Sequence, residues 1–249
     1  MARYFIYLSY DGAAYHGWQV QPNGITVQQQ LEEALTTLQR EPVQVMGAGR
    51  TDAGVNAASM VAHVDFSAPV DTKHLVYKLN RILPPDIAVS DIRRVKDDAH
   101  ARFDALSRTY HYRIITAKSP FARRYACRVQ PDIDFELMNE AAAVLSEYTD
   151  FTSFSKLHTD VKTNNCRVMK AAWHKVGANE WFFEIEADRF LRNMVRAIVG
   201  TLLLVGRHKI TIDGFRAIIE KKERGEAGDS AMGEALFLAD VKYPEDIFL

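Results

Sequence analysis

The stretch Arg3-Tyr4-Phe5-Ile6-Tyr7-Leu8-Ser9-Tyr10-Asp11-Gly12 sets the frame for reading the fold. Aromatic and β-branched residues run without interruption and stop at an Asp-Gly pair, the pattern of a strand closed by a turn. Working outward, Thr26 offers an N-cap to a helix whose apolar positions Val27, Leu31, Ala34, Leu35 and Leu38 recur at helical spacing, and Pro42 ends it. Residues 43–48 and 59–66 read as strands, 71–83 as a helix stopped by Pro84-Pro85, and 87–95 as a strand. The order is β-α-β-β-α-β. The remainder follows suit: a strand at 107–116, a helix at 134–148, strands at 168–176 and 181–187, helices at 191–205 and 212–224, and a strand at 235–241. Two split β-α-β halves in succession predict an α+β fold, with a largely antiparallel sheet shared by two similar halves and a cleft between them. The expected division is residues 1–103, carrying the chemistry, and 104–249, completing the cleft.

The chain has 249 residues, 47% of them apolar, enough for a real core and against intrinsic disorder. Lys and Arg total 31 against 32 Asp and Glu, so a net charge of −1 gives no whole-chain sign of a polyanionic partner. Charge is nevertheless uneven. Between residues 99 and 130 stand Arg102, Arg108, Arg113, Lys118, Arg123, Arg124 and Arg128 against Asp104 alone, a local field compatible with a phosphate backbone. The two cysteines, Cys127 and Cys166, read as idle thiols of a reducing compartment. The N-terminus enters a strand directly, without the pattern of a secretory signal, and the longest apolar stretch, 197–206, is about half a bilayer span. A soluble, cytoplasmic protein is expected.

The chemistry concentrates in Gly47-Ala48-Gly49-Arg50-Thr51-Asp52-Ala53-Gly54-Val55-Asn56-Ala57. A dinucleotide fingerprint is excluded because Asp52 stands where its third glycine belongs, and a carboxylate facing a pyrophosphate has the wrong sign. A P-loop is excluded because no Gly-Lys-Ser/Thr follows. Two readings stay open: a Gly-rich turn in which Asp52 merely caps backbone N–H groups, and a reactive carboxylate. Arg50 and Asp52, two apart in an extended segment, would project together and form an ion pair that keeps Asp52 charged, which suits a nucleophile or base. The eight histidines show no metal-binding spacing, so no metal is expected.

Five ordered motifs carry a resemblance. They are Tyr10-Asp11-Gly12-Ala13-Ala14-Tyr15-His16-Gly17-Trp18-Gln19, the loop through Asp52, Ala101-Arg102-Phe103-Asp104-Ala105 leading into Arg108-Thr109-Tyr110-His111-Tyr112, Asp150-Phe151-Thr152-Ser153-Phe154, and the run from Phe190 to Gly200. Through them the chain resembles the tRNA pseudouridine synthase A family along nearly its whole length. The resemblance implies isomerisation of uridine in the tRNA anticodon arm, a homodimer, and no metal or organic cofactor. It makes Asp52 the catalytic carboxylate, Arg50 its ion-pair partner and Tyr110 the aromatic that stacks on the target base. Arg102, Arg192, Asn56 and Leu236 follow as substrate-binding positions. Two departures stand out. Asn56 occupies a position that is histidine in many relatives, and Ala231-Met232-Gly233-Glu234-Ala235-Leu236 lacks the usual Pro and Gly, which predicts a looser loop unable to take positive φ at Ala235. An RNA-binding module that has lost catalysis and a small-molecule isomerase or lyase are the competing readings.

Overall fold

The computed structural model describes residues 1–156 and 163–249 and divides the chain into two compact units, Met1–Leu106 with Leu238–Leu249, and Ser107–Phe237. Both are mixtures of helices and mostly antiparallel strands.

In the first unit the order is β1 (Ala2–Tyr10), α1 (Val27–Gln39), β2 (Val45–Gly47), β3 (Asn56–Phe66), α2 (Thr72–Ile82) and β4 (Ile87–Arg94), the β-α-β-β-α-β succession read from the sequence. The strand path is β4-β1-β3-β9, with β2 on β3 and β9 spanning Leu236–Lys242. β1 runs antiparallel to both neighbours, Tyr4 opposite Val64 and Ile6 opposite Ile92. Phe5 and Ile6 are adjacent in sequence and point to opposite faces, yet both are fully buried, so β1 is covered on both sides. Thr26 caps α1 as expected, accepting from the Gln29 N–H at 3.3 Å, and Asp71 does the same for α2 through His74 at 3.0 Å. The Asn80 side chain exchanges two hydrogen bonds with the Val89 backbone, at 2.7 and 2.8 Å, fastening α2 to β4.

The chain returns to this unit at its end, which the expected division at residue 103 did not anticipate. Phe5 is met by Tyr243 at 4.9 Å and Phe248 at 6.3 Å between ring centroids, and Val95 bridges to Phe248. A face of β1 that apolar would otherwise lie in water is thus closed by residues far away in sequence.

The second unit comprises β5 (Ser107–Ile115), β6 (Cys127–Arg128), α3 (Phe135–Ala143), β7 (Val168–Lys175), β8 (Glu180–Ala187), α4 (Met194–Gly206) and α5 (Ile212–Lys221). β8 lies antiparallel between β5 and β7, and the short β6 pairs parallel to β5. α4 is its central helix, with apolar residues buried on nearly every side. Three helices are shorter than their periodicity suggested, α5 ending at Lys221 because Lys222 turns left-handed at φ 55°. α3 gives way to a 3-10 turn over Val144–Glu147, and α4 begins three residues late because Asn193 takes a left-handed conformation, φ 68°, that a right-handed helix cannot include.

Candidate active site

The loop from Gly47 to Asn56 is held by the N-terminal motif. Tyr10 and Thr51 share a hydroxyl–hydroxyl hydrogen bond of 2.8 Å, the Trp18 N–H donates to the Thr51 carbonyl at 3.2 Å, and the Gly54 N–H donates to the Tyr15 carbonyl at 3.4 Å. The Gly12 N–H donates to Asn56 Oδ1 at 2.9 Å. On its other side the same motif receives the start of α1. The Val27 and Gln28 N–H groups, which have no partner inside their own helix, donate to the carbonyls of Gly17 and Trp18 at 3.2 and 2.9 Å. The motif is therefore a strap, tying the end of a helix to the Asp52 loop.

Within the loop, Val55 donates to the Asp52 carbonyl at 3.2 Å, closing a turn whose third residue, Gly54, has φ 77°. Asp52 opens this turn and is half-buried, while Thr51 before it is buried. The strap approaches so closely that side chains are excluded. A Cβ on Gly12 would lie 2.1 Å from the Val55 carbonyl oxygen, and one on Gly17, whose φ is +87°, would lie 2.3 Å from the Thr51 carbonyl oxygen. Trp18 fills the space over Gly47. Tyr10, Tyr15 and Trp18 are core aromatics of this packing, all at least 95% buried.

Arg50 is exposed, and among the described residues its side chain makes no hydrogen bond or ion pair. The Arg50–Asp52 ion pair anticipated from spacing is thus not formed. The segment between them is anchored through Thr51 rather than laid out as a strand. Asn56 is 2% exposed and works as a backbone clamp on Gly12. Arg102 is exposed, its guanidinium 5.8 Å from the Phe103 ring centroid.

In the second unit, Tyr110 stands on β5 opposite Ile185, is buried to 9% exposure, and meets Phe190 edge-on at 5.2 Å. Arg192 is exposed, and its carbonyl accepts from the Lys156 N–H at 3.0 Å. Asp150 accepts from the N–H and hydroxyl of Thr152 at 3.1 and 2.6 Å and pairs with Lys222 at 2.9 Å, fixing the Asp150–Phe154 motif against α5. Leu236 is buried where β9 begins.

The altered loop before Leu236 is packed, against the expectation that it would be loose. Ala235 is fully buried at the end of a 3-10 turn and does not need positive φ. Residues missed by sequence reasoning account for this. Arg196 Nε donates to the Ala231 carbonyl at 2.6 Å, the Ala231 N–H returns to the Arg196 carbonyl at 3.0 Å, and Asn193 donates to Ser230 at 2.7 Å. Gly200 lets the Asp229 carbonyl lie directly on α4. Their one sequence signal was membership of the Phe190–Gly200 motif.

Cys166 is buried, which pushes its thiol up to about 11 and leaves it inert at neutral pH. Among the described residues no group of three or more His, Cys, Asp or Glu side chains is placed to hold a metal, and no helix is long and apolar enough to cross a membrane.

The strapped carboxylate loop and the aromatic on β5 both lie within the ordered motifs, and comparison with known proteins bears on those motifs directly. A family profile described as tRNA pseudouridine synthase matches residues 143–244. The chain is 62% identical to tRNA pseudouridine synthase A of Bacteroides thetaiotaomicron, over 100% of this chain and 93% of that one. It is 56% identical to the enzyme of the same name from Porphyromonas gingivalis, over 100% of both, and 38% identical to that of Pseudoalteromonas atlantica, over 97% of this chain and 92% of the other. The chain belongs to the tRNA pseudouridine synthase A family.

Proposed function

We propose that the protein isomerises uridine to pseudouridine in tRNA, at the anticodon arm, with Asp52 as the carboxylate that acts on the target nucleotide. The observation that carries this reading is the strapped turn: a half-buried Asp52 sits in a loop whose Thr51, Gly54 and Asn56 make four hydrogen bonds to the N-terminal motif. A reactive group held this way loses little freedom on meeting its substrate.

The reaction breaks the bond between uracil N1 and the sugar, turns the base and joins C5 to the same sugar carbon, after which C5 gives up its proton and N1 takes one up. Atoms and electrons balance within one nucleotide, so a single carboxylate is sufficient. Extracting a stacked base costs a few kcal/mol. Tyr110, braced edge-on by Phe190, offsets part of this by stacking on the extruded base. Arg50, exposed beside Asp52, meets the RNA, as do Arg102 and Arg192, and Leu236 supplies an apolar contact to the substrate. Asn56 acts through Gly12 as a positioning residue. A homodimer working in the cytoplasm is part of the same proposal.

Asp52→Asn tests it, since shape and hydrogen bonding are kept and only the charge is lost. The variant is expected to bind tRNA as tightly as the parent and to form no pseudouridine when unmodified tRNA is incubated and mapped chemically. Equal product from both would remove Asp52 from catalysis. Binding without product from either would favour an RNA-binding module.

A further inference from the structure

The turn at residues 99–104 is far more firmly built than its exposure requires. The His100 N–H donates to Asp104 Oδ2 at 2.7 Å, and the Asp104 N–H donates back to the His100 carbonyl at 3.0 Å. His100 Nδ1 accepts from the N–H groups of Arg102 and Phe103 at 3.1 and 3.3 Å. The Ala101 N–H donates to Nδ1 of His63 on β3 at 3.1 Å. Arg3 donates to the Ala99 carbonyl at 3.0 Å and the Tyr243 hydroxyl to the Ala101 carbonyl at 2.6 Å. The turn is thus fixed from β1, β3 and the C-terminal tail together.

What this framework presents to solvent is a phenylalanine. The Phe103 ring rests on His100 at 4.3 Å between centroids, His100 rests in turn on His63 at 4.5 Å, and Phe103 is still 74% exposed. A single exposed apolar residue is ordinary on a protein surface. An exposed aromatic on a turn whose successive N–H groups, from His100 to Asp104, are all tied is a preformed contact surface. Burying such a ring is favourable, and that gain is left for a partner to realise. The Arg102 guanidinium beside the ring indicates the partner: aromatic faces next to arginine take nucleobases by stacking and phosphates by charge.

We propose that Phe103, carried with Arg102 on this locked turn, is a stacking platform for an unpaired nucleobase of the substrate RNA, at a point remote from the nucleotide held at Asp52. The distance follows from β3, which begins at Asn56 just beyond the Asp52 turn. His63, to which the platform is tied, lies seven residues further along that extended strand, roughly 23 Å away. Phe103 therefore contributes to grip and register on the RNA and takes no part in bond breaking. The inference rests on the tRNA reading given above.

The test uses Phe103→Ala, Phe103→Tyr and Phe103→Trp in the full chain. With unmodified tRNA, Phe103→Ala should raise Kd and KM by about 5- to 150-fold, matching one lost stack, with little change in kcat at saturation. Phe103→Tyr should restore parental values, and Phe103→Trp should show tRNA-dependent quenching of tryptophan emission beyond that of the parent. Unchanged Kd and KM, or a fall confined to kcat, would overturn the proposal. So would a shift in oligomeric state by sedimentation with RNA affinity intact, which would make Phe103 a protein contact. Binding and quenching are read without turnover, so an absence of pseudouridine from every variant and the parent would count against the catalytic reading while leaving the platform testable.

Discussion

His63 accepts a hydrogen bond through Nδ1 only while that atom carries a lone pair, so the turn built on it needs a neutral ring. Burial, with Arg3 nearby, lowers its pKa to about 4, and the same two causes lower that of His100. Since the folded value is depressed below about 6.5 for a free histidine, the unfolded chain takes up the proton first on acidification. The contribution to stability is complete above about pH 6.5 and is lost as pH falls toward 4. His63→Gln keeps an acceptor and does not titrate. Melting temperatures measured from pH 7.5 to 4.5 should therefore show the parent losing its advantage over the variant in the acidic range, and a constant difference would contradict the assignment. At this scale the sequence was partly legible. Asp52 and Tyr110 stood out through their motifs, whereas the role of Asn56 as a clamp on Gly12 depends on a partner 44 positions away. Arg50 shows the opposite case: spacing suggested a pairing with Asp52 that the buried Thr51 between them does not produce.

The Asp52 turn and its strap act as one element, and the glycines in it are not equivalent. Gly12 and Gly17 are required by close approach of the Val55 and Thr51 carbonyls, and Gly17 also by its positive φ. Gly49 has open space around the position of a Cβ. Gly12→Ala and Gly17→Ala are each expected to destabilise the protein by about 1–3 kcal/mol, the usual cost of forcing atoms into a packed site. Both should lower kcat by moving Asp52. Gly49→Ala should leave the denaturant midpoint unchanged. Equal midpoints for all three would show that the strap does not constrain the loop. The sequence displayed these glycines in two motifs but gave no sign that the motifs pack on each other. That contact is made by the hydrogen bonds of Tyr10, Gly12, Tyr15 and Trp18 to Thr51, Gly54 and Asn56.

For the molecule as a whole, a net charge of −1 cannot hold a tRNA, so binding must come from where the cations sit. Arg123 and Arg124 are exposed in the basic stretch seen in the sequence. Arg128 from that stretch meets Arg207 and Lys209 around a concavity of about 610 Å3, a second basic surface assembled from distant segments. tRNA affinity should fall steeply with salt, and replacing Arg123 and Arg124 by Ala should flatten the log–log slope by about 1.5–2 if each neutralises one phosphate. An unchanged slope would exclude both from the backbone contact. By itself the sequence determined the order of the main elements, the helix cap at Thr26, the position of the reactive loop and the family, because each is written in local periodicity, capping chemistry or contiguous motif. Only the tertiary structure decided that the last twelve residues close the first unit, that Arg196 and Gly200 pack the altered loop, and that His63 and Tyr243 lock the Phe103 turn. These depend on which exposed apolar faces and unpaired backbone groups meet when the chain compacts, and residues distant in sequence carry no local mark of such a meeting.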